Sequence, residues 1–264
     1  MSFKLAHLSD IHFGGENVGA VAAAGDYIRA GGFDLTVVSG DLTKYAEAPE
    51  FELAKAWLDR LPSPVFVTPG NHDAPYLAWA ERIFDPFRRY ERYIGPAAFQ
   101  CWVGAGGAVR GINTARGAQP RLNWSKGQIS KARARAAADW LAQQQGVRIV
   151  VVHHPLIEMI GGPMTARVWG GPRAASEFAA AKVDLVLSGH IHAPFTWAYP
   201  DGDGLTWAVG AGTLSVRERG VPPGFNVVEV EDGFFRVTAL AWTGSHFEPY
   251  RTWALNRRPG ASAS

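Results

Sequence analysis

The sequence predicts a mixed α/β domain built on two packed β-sheets. Short apolar runs rich in β-branched residues alternate with helical patterns, and the later runs are separated by tight turns. The 264 residues are near the upper limit for one compact core and suit one domain with two sheets. Residues 1–255 are expected to form that domain, and the small, polar stretch 256–264 a flexible tail.

The net charge, the cysteine count and the apolar runs of the sequence exclude several classes of protein. The net charge of +2 is too small to indicate a nucleic-acid or acidic-membrane partner. The single Cys101 excludes an intramolecular disulfide and a thiolate metal cage. The N-terminus lacks the apolar region of a signal peptide, and no apolar run reaches the length of a membrane span. We therefore expect a soluble, cytoplasmic protein with no membrane partner.

The first part of the chain alternates strands and helices. Strands are predicted at residues 3–8, 34–39 and 63–69 because each run is short, apolar and closed by turn residues. A helix of small residues is predicted at 17–30, where Gly31 and Gly32 end it. A second helix at 49–61 carries an apolar stripe, and acidic residues near its start cap it.

The rest of the chain continues the alternation and then changes to consecutive strands. The aromatic, helix-like segment 75–96 suits the core better than a substrate wall. The elements predicted after it are a hairpin at 99–103 and 108–112, a helix at 126–145, a strand at 147–152, a helix at 174–181 and a strand at 184–188. Antiparallel strands are then predicted at 195–199, 205–209, 225–230 and 234–242.

The loop after the third strand carries three adjacent polar residues, Asn71, His72 and Asp73. Ligands bind in open α/β sheets at the carboxyl ends of strands, which is where this loop lies. Taken alone, the loop is equally well explained as an Asn/Asp turn that includes a histidine. Similar polar residues follow other predicted strands of the chain, and this recurrence favours a functional site.

Five strand ends carry residues of this kind. They are Asp10 with His12, Asp41, Asn71 with His72, His153, and His190 with His192. Any one of these could be a capped turn, but no fold needs its imidazoles clustered on one rim. Asp and His two residues apart point to the same side of an extended segment and form a natural metal-binding pair. His7 and His246 fall outside the pattern and are assigned to packing or surface.

Five motifs in this order resemble the calcineurin-like metallophosphoesterase superfamily. They are Asp-x-His, Gly-Asp, Gly-Asn-His-Asp, His-His-Pro and Gly-His-x-His, and they span residues 4–242. The Gly-Asn-His-Asp block, the Asp41-Leu42-Thr43 run and the short length are most similar to the class III cyclic nucleotide phosphodiesterase and glycerophosphodiesterase branch. The resemblance implies a four-layer αββα sandwich with the site at its loop-bearing edge.

The resemblance also implies a site for two metal ions. Asp10, His12, Asp41 and His192 would hold one ion, and Asp41, Asn71, His153 and His190 the other. Asp41 would bridge the two. Nitrogen and oxygen ligands without sulfur suit Mn, Fe or Zn. His72 would stabilise developing charge or protonate the leaving oxygen, and Asp73 would orient His72. His154 would be structural.

The activity implied is hydrolysis of a small phosphodiester, either a cyclic nucleotide such as cAMP or a glycerophosphodiester, by in-line attack of a metal-bridging hydroxide. The alternatives are a nuclease, which the low charge disfavours, and a lipid-linked pyrophosphatase of the UDP-diacylglucosamine type. Those pyrophosphatases carry Arg at the position of His72. A catalytically silent metal-binding scaffold is the non-enzyme alternative, but such relatives usually lose ligands and here none is missing.

Several loop residues are further candidates for a lid or a phosphate clamp. The irregular segment 156–173 lies beside the His153 motif, as a lid would. Trp124, Trp169, Arg167 and Arg217 also lie in loops that can face the metals. The sequence does not identify the natural substrate or the two metals, nor does it distinguish a monomer from a homo-oligomer.

Overall fold

The structure is a computed structural model that describes residues 3–62, 64–120, 123–158 and 168–259. The strands are β1 (Phe3–Leu8), β2 (Leu35–Ser39), β3 (Val65–Thr68), β4 (Phe99–Gly104), β5 (Gly107–Ile112), β6 (Val147–Val151), β7 (Leu185–Ser188), β8 (Phe195–Ala198), β9 (Trp207–Gly210), β10 (Gly224–Val230), β11 (Phe234–Trp242) and β12 (Phe247–Asn256). The helices are α1 (Val18–Ala30), α2 (Ala48–Leu58), α3 (Trp79–Phe84), α4 (Arg88–Tyr93), α5 (Lys131–Ala142) and α6 (Gly171–Ala180).

The strands form two mixed sheets. The first sheet has the order β12-β11-β10-β1-β2-β3, in which β1, β2 and β3 are parallel. The second has the order β4-β5-β6-β7-β9-β8, in which the four central strands are parallel. Parallel strands direct their carboxyl ends to one edge, so the loops after β1, β2 and β3, and those after β6 and β7, lie at common edges.

The sheets pack face to face and are covered by helices on their outer faces. Leu5, Val37, Ile149 and Leu187 belong to an apolar cluster that lies between the sheets and draws on both of them. A second cluster joins the first sheet to α1, α2 and α4, and a third joins the second sheet to α5 and α6. Successive strand residues point to opposite faces, which is why each central strand contributes to two clusters. The expected four-layer αββα arrangement is confirmed.

The pairing of the later strands was predicted wrongly. β8 and β9 are antiparallel, but β9 pairs in parallel with β7, and β10 and β11 belong to the other sheet. β12 was not predicted, because most of its side chains are exposed and show no apolar alternation. Local patterns mark a strand but do not identify its partner, which depends on contacts distant in sequence.

Helix α5 begins later than predicted. The side chain of Ser130 caps it by accepting a hydrogen bond from the backbone N–H of Arg133. The backbone N–H groups of Gln128 and Ile129 instead donate to the carbonyls of Thr114 and Trp169. These residues are therefore held as an extended connection and not as a first helical turn.

The predicted tail is partly included in the fold. Asn256 ends β12, and the Arg258 guanidinium donates to Asp184 and to Asp203. Residues 260–264 lie outside the described residues, and the division at residue 256 stays a prediction. None of the helices in the described ranges is long and apolar enough to cross a membrane.

Candidate metal centre

The seven residues predicted as metal ligands meet at one edge of the sandwich. All are buried, and they follow β1, β2 and β3 of the first sheet and β6 and β7 of the second. The seven are Asp10, His12, Asp41, Asn71, His153, His190 and His192. The site therefore lies across the junction of the two sheets.

The first group of ligand atoms comes from Asp10, His12 and His192. Oδ1 of Asp10 lies 3.1 Å from Nε2 of His192 and 3.8 Å from Nε2 of His12. The two imidazole Nε2 atoms are 3.4 Å apart. Because metal–ligand bonds are about 2.0–2.2 Å long, ligand atoms around one cation lie roughly 3 Å apart. The spacing suits a single metal ion.

Asp41 lies between this group and a second one. Its Oδ2 atom is 3.2 Å from Nε2 of His153 and 3.9 Å from Nε2 of His12. Oδ1 of Asn71 is 3.2 Å from the same His153 nitrogen, and the His190 ring centroid is 5.2 Å from that of His153. One carboxylate thus faces both groups, as the predicted bridging ligand would.

Backbone carbonyls fix the orientation of three of the imidazoles. The Nδ1 atom in each case lies within hydrogen-bond distance of a carbonyl oxygen: His12 to Thr43 at 3.2 Å, His153 to Ser39 at 2.8 Å and His192 to Arg217 at 2.9 Å. A carbonyl only accepts, so Nδ1 carries the proton and Nε2 is the atom turned to the site. Carbonyl contacts of this kind orient metal-binding histidines in proteins.

The site favours a positive charge at its centre. Oδ1 of Asp10 is buried and accepts no hydrogen bond of normal geometry from the described residues, although Nε2 of His192 is close by. Burial alone would lower the pKa of His153, but the carboxylates of Asp41 and Asp10 raise it to about 9. Burial also opposes ionisation of Asp10, yet the charges of His192 and His153 hold its pKa below the usual value. An orphaned oxygen beside imidazole nitrogens fits a metal cation.

Five of the seven residues hold a backbone conformation that is unusual for their type. The φ angles are 53° at Asp10, 54° at His12, 54° at Asp41, 70° at His190 and 63° at His192. Non-glycine residues rarely adopt positive φ, and each case costs on the order of 1–3 kcal/mol. Such strain persists only where the surrounding fold imposes it, and it clusters at functional sites.

His72 lies beside the ligand groups and opens toward solvent. Its Nδ1 is 2.7 Å from the carbonyl of Lys44, so Nδ1 is the donor there, and Nε2 lies 3.4 Å from Nη1 of Arg217. Its ring packs edge-on against His12 with centroids 4.7 Å apart. The predicted catalytic histidine is therefore next to the metal site, and a cation predicted as a candidate clamp lies beside it.

Asp73 has different contacts from those expected of a residue that orients His72. Its carboxylate accepts hydrogen bonds from the backbone N–H groups of Leu42, Thr43 and Gly70 and from the Thr43 hydroxyl. Among the described residues, none of its hydrogen bonds reaches the imidazole of His72. The prediction that Asp73 orients His72 is corrected on this ground. Asp73 ties the Asp41 loop to the Asn71 loop, and burial together with the charge of Asp41 raises its pKa to about 6.

Replacing Asp73 by alanine should lower the free energy of unfolding by about 3 kcal/mol, since buried backbone N–H groups would lose their acceptor. Bound metal should fall as well, because the Asp41 and Asn71 loops would no longer be held together. Urea unfolding and metal analysis check both effects, and Asp73→Asn, which keeps one acceptor oxygen, should lose less. Unchanged stability and metal content with lost turnover would restore a direct catalytic role.

The remaining histidines do not face the centre in the same way. Both ring nitrogens of His154 have neighbours in the fold, Oγ1 of Thr114 at 2.8 Å and the carbonyl of Ser125 at 2.8 Å. His7 is buried against the hydroxyl of Ser39, and burial lowers its pKa to about 3. His246 lies on an exposed turn. These positions agree with the structural assignments made from the sequence.

A cleft of about 740 Å³ lies over His72 and Asn71. Three cationic residues line it, Lys44, Arg82 and Arg217, and no carboxylate of the described residues does. Such a lining attracts an anion and would not repel a phosphate. Lys44 directly follows the Asp41 motif, so its sequence position could have indicated it. Nothing in the sequence marked Arg82.

Aromatic side chains form one wall of this cleft, and the sequence had assigned the segment 75–96 to the core. Tyr90 is fully buried as predicted, but Trp79 lines the cleft and is 61% exposed. Trp124 also lines the cleft, whereas Trp169 lies at a separate cavity with Leu156. Arg167 and most of the proposed lid, residues 159–167, lie outside the described residues, so the lid stays a prediction.

Comparison with known proteins shows that the chain is similar to phosphoesterases. A family model described as calcineurin-like phosphoesterase matches residues 3–194. A protein of Synechococcus sp. described as a probable cyclic nucleotide phosphodiesterase is 25% identical, and the matched region covers 89% of this chain and 91% of the relative.

Solved structures share the fold at low sequence identity. A purple acid phosphatase from yellow lupin seeds superposes with a TM-score of 0.71 at 11% identity, over 97% of this chain and 54% of that one. GAP50, the anchor in the inner membrane complex of Plasmodium, superposes with a TM-score of 0.64 at 15% identity, over 98% and 90%. The second protein is described as an anchor, so function must be argued from the site and not from the fold.

Proposed function

Because this chain belongs to the calcineurin-like phosphoesterase family, we propose that it hydrolyses a small phosphodiester with the help of two metal ions. The cleft above the ligand groups, which is lined by cations and by no carboxylate from the described part of the chain, is the observation that carries the proposal. The Synechococcus relative supports the diesterase branch predicted from the motifs. Asp10, His12, Asp41 and His192 would hold one ion, and Asp41, Asn71, His153 and His190 the other. Mn, Fe or Zn would suit these ligands.

Different residues of the chain would have different roles in the reaction at the phosphate. Bound cations would supply Lewis acidity toward the phosphoryl oxygens and toward an attacking water. The Arg217 guanidinium lies beside His72 and can donate to a non-bridging phosphate oxygen. Since Nδ1 of His72 donates to Lys44, the ring would act as an acid in its imidazolium form, in which Nε2 carries the second proton and passes it to the leaving oxygen. The volume of the cleft, about 740 Å³, leaves room beside His72 for the substituents of a small diester.

Metal content and ester class test the proposal together. The protein purified without chelator should contain close to two metal ions per chain and hydrolyse bis(p-nitrophenyl) phosphate faster than p-nitrophenyl phosphate. A strong preference for the monoester would refute the diesterase proposal. Less than one ion per chain, with no activity on adding Mn²⁺, would favour the catalytically silent scaffold.

His72→Ala should keep its metal but lose turnover by about 100- to 10,000-fold, the usual contribution of a positioned acid or base. The reason is that its ring lies next to the ligand groups while its Nδ1 is held by a carbonyl. Metal analysis and steady-state kinetics check the two parts. His246→Ala, at an exposed turn, is the matched control and should change neither. Loss of metal from the His72 variant would show that it is a ligand.

A further inference from the structure

We propose that the aromatic wall of the cleft, formed by Tyr45, Tyr76, Trp79 and Trp124, binds a nucleobase, so that the enzyme selects nucleotide diesters over glycerophosphodiesters. This inference rests on the proposed function and names the substrate class for the same site. It concerns a surface that none of the metal-binding motifs includes.

The wall presents unusually exposed aromatic surface at the site. Trp79 is 61% exposed and Tyr76 is 54% exposed, and both line the same cleft as His72. Large aromatic side chains are normally buried, and a cluster of exposed ones indicates a binding surface. A flat base can cover these rings by stacking, which contributes about 1–3 kcal/mol per base in single-stranded nucleic-acid sites.

Contacts within the wall hold it in place before a ligand arrives. Trp79 packs edge-to-face on Trp124 with ring centroids 5.6 Å apart. The buried Arg82 guanidinium donates to the carbonyls of Ala74, Pro75 and Gly117. It also lies 5.9 Å from the rings of both Tyr76 and Trp124. A fixed wall loses little entropy on binding, which favours a rigid planar ligand.

Arg217 marks the phosphate end of the cleft, whereas the other two cations of the cleft, Lys44 and Arg82, lie against rings of the wall. Arg217 lies beside His72, where the phosphate would be, and Lys44 follows the Asp41 loop. Asn123, which precedes Trp124 in the chain, also lines the cleft; its Oδ1 accepts from Ser125, so its Nδ2 is the group able to donate to a base edge. A glycerol substituent has hydroxyl groups but no flat face, so the exposed rings would gain little from it.

The experiment compares ligands that differ only in the group predicted to meet the wall. Thymidine 5′-(p-nitrophenyl phosphate) and methyl p-nitrophenyl phosphate release the same leaving group, so their kcat/KM ratio reports recognition of the nucleoside. AMP and ribose 5-phosphate differ only in the base, and their dissociation constants for the purified protein report base binding without turnover. The variants are Trp79→Ala, Trp79→Phe and the control Trp197→Ala, whose side chain is 46% exposed on β8.

The wild-type protein should prefer the thymidine ester and AMP by about 5-fold or more, the equivalent of one stacked base. Trp79→Ala should remove most of both preferences, because it should lower kcat/KM for the thymidine ester far more than for the methyl ester. Trp79→Phe should retain much of them, and Trp197→Ala all of them.

Equal binding of AMP and ribose 5-phosphate by the wild type would overturn the inference. So would an equal loss on both esters in Trp79→Ala, which would indicate a structural role. If neither ester is hydrolysed, the proposed function fails, and the binding comparison still decides whether the wall recognises a base.

Discussion

Asp41→Ala is expected to lose both metal ions and at least about 1,000-fold of the turnover. The Asp41 carboxylate is the group that faces both ligand groups, with Oδ2 near His153 on one side and His12 on the other. Its second oxygen, Oδ1, accepts a hydrogen bond of 2.8 Å from the backbone N–H of His72. Removing it would take negative charge from both proposed cations at once. Metal ions supply several kcal/mol to phosphoryl transfer, which corresponds to this loss in rate.

Metal analysis, steady-state kinetics and thermal unfolding check the Asp41 variant. Asp59→Ala removes a carboxylate of the same kind from the surface, where its side chain is 61% exposed and pairs with Lys55. This control should keep its metal and its rate, because an exposed ion pair contributes little. A folded Asp41→Ala protein with a full metal complement would contradict the bridging role. Loss of one ion alone would assign Asp41 to a single site.

Gly189→Ala should also disable the centre, although it changes no ligand. An added Cβ at this position would collide with Oγ of Ser9 and Oδ2 of Asp10. Oδ2 of Asp10 normally accepts the backbone N–H of His190 at 2.8 Å, so the collision would separate the His190 loop from the Asp10 loop. Overpacking of this kind costs about 1–3 kcal/mol. We expect a lower melting temperature, weakened metal binding and a corresponding loss of activity.

The control for Gly189 is Gly19→Ala in the first turn of α1. There the nearest atom to an added Cβ belongs to Trp242, at 3.3 Å, and alanine favours a helix over glycine by up to about 1 kcal/mol. Differential scanning calorimetry and metal titration compare the two variants. If Gly189→Ala melts with the wild type and binds metal normally, the two loops adapt to the extra methyl group, and the rigidity inferred for them is wrong.

Much of the site could be predicted because its residues lie next to strong local signals. Asp10, Asp41 and Asn71 each follow a short apolar run that ends abruptly, and parallel strands bring such ends to one edge. The imidazole of His153 is located by the same reasoning. Recognition of strands and their ends therefore placed these residues at sheet edges, whereas the meeting of the two sheets at one site was implied by the resemblance to the family.

Other features depend on contacts between distant segments and left no local mark. The role of Asp73 follows from the N–H groups of Leu42 and Thr43, some 30 positions earlier in the chain. Arg82 belongs to the wall because it reaches carbonyls on two other segments. The parallel pairing of β9 with β7 likewise depends on the path of the chain after β8. Hydrophobic pattern indicates that a residue is buried, but not which partner it meets.

The chain order of the first sheet has a consequence for biosynthesis. β1 lies between β2 and β10, so its second neighbour is translated only after His192, the last of the seven ligands. A nascent chain that already carries every ligand still has an open edge beside Asp10. Stable capture of the proposed cations is therefore expected only after β10 has been translated and has closed that edge.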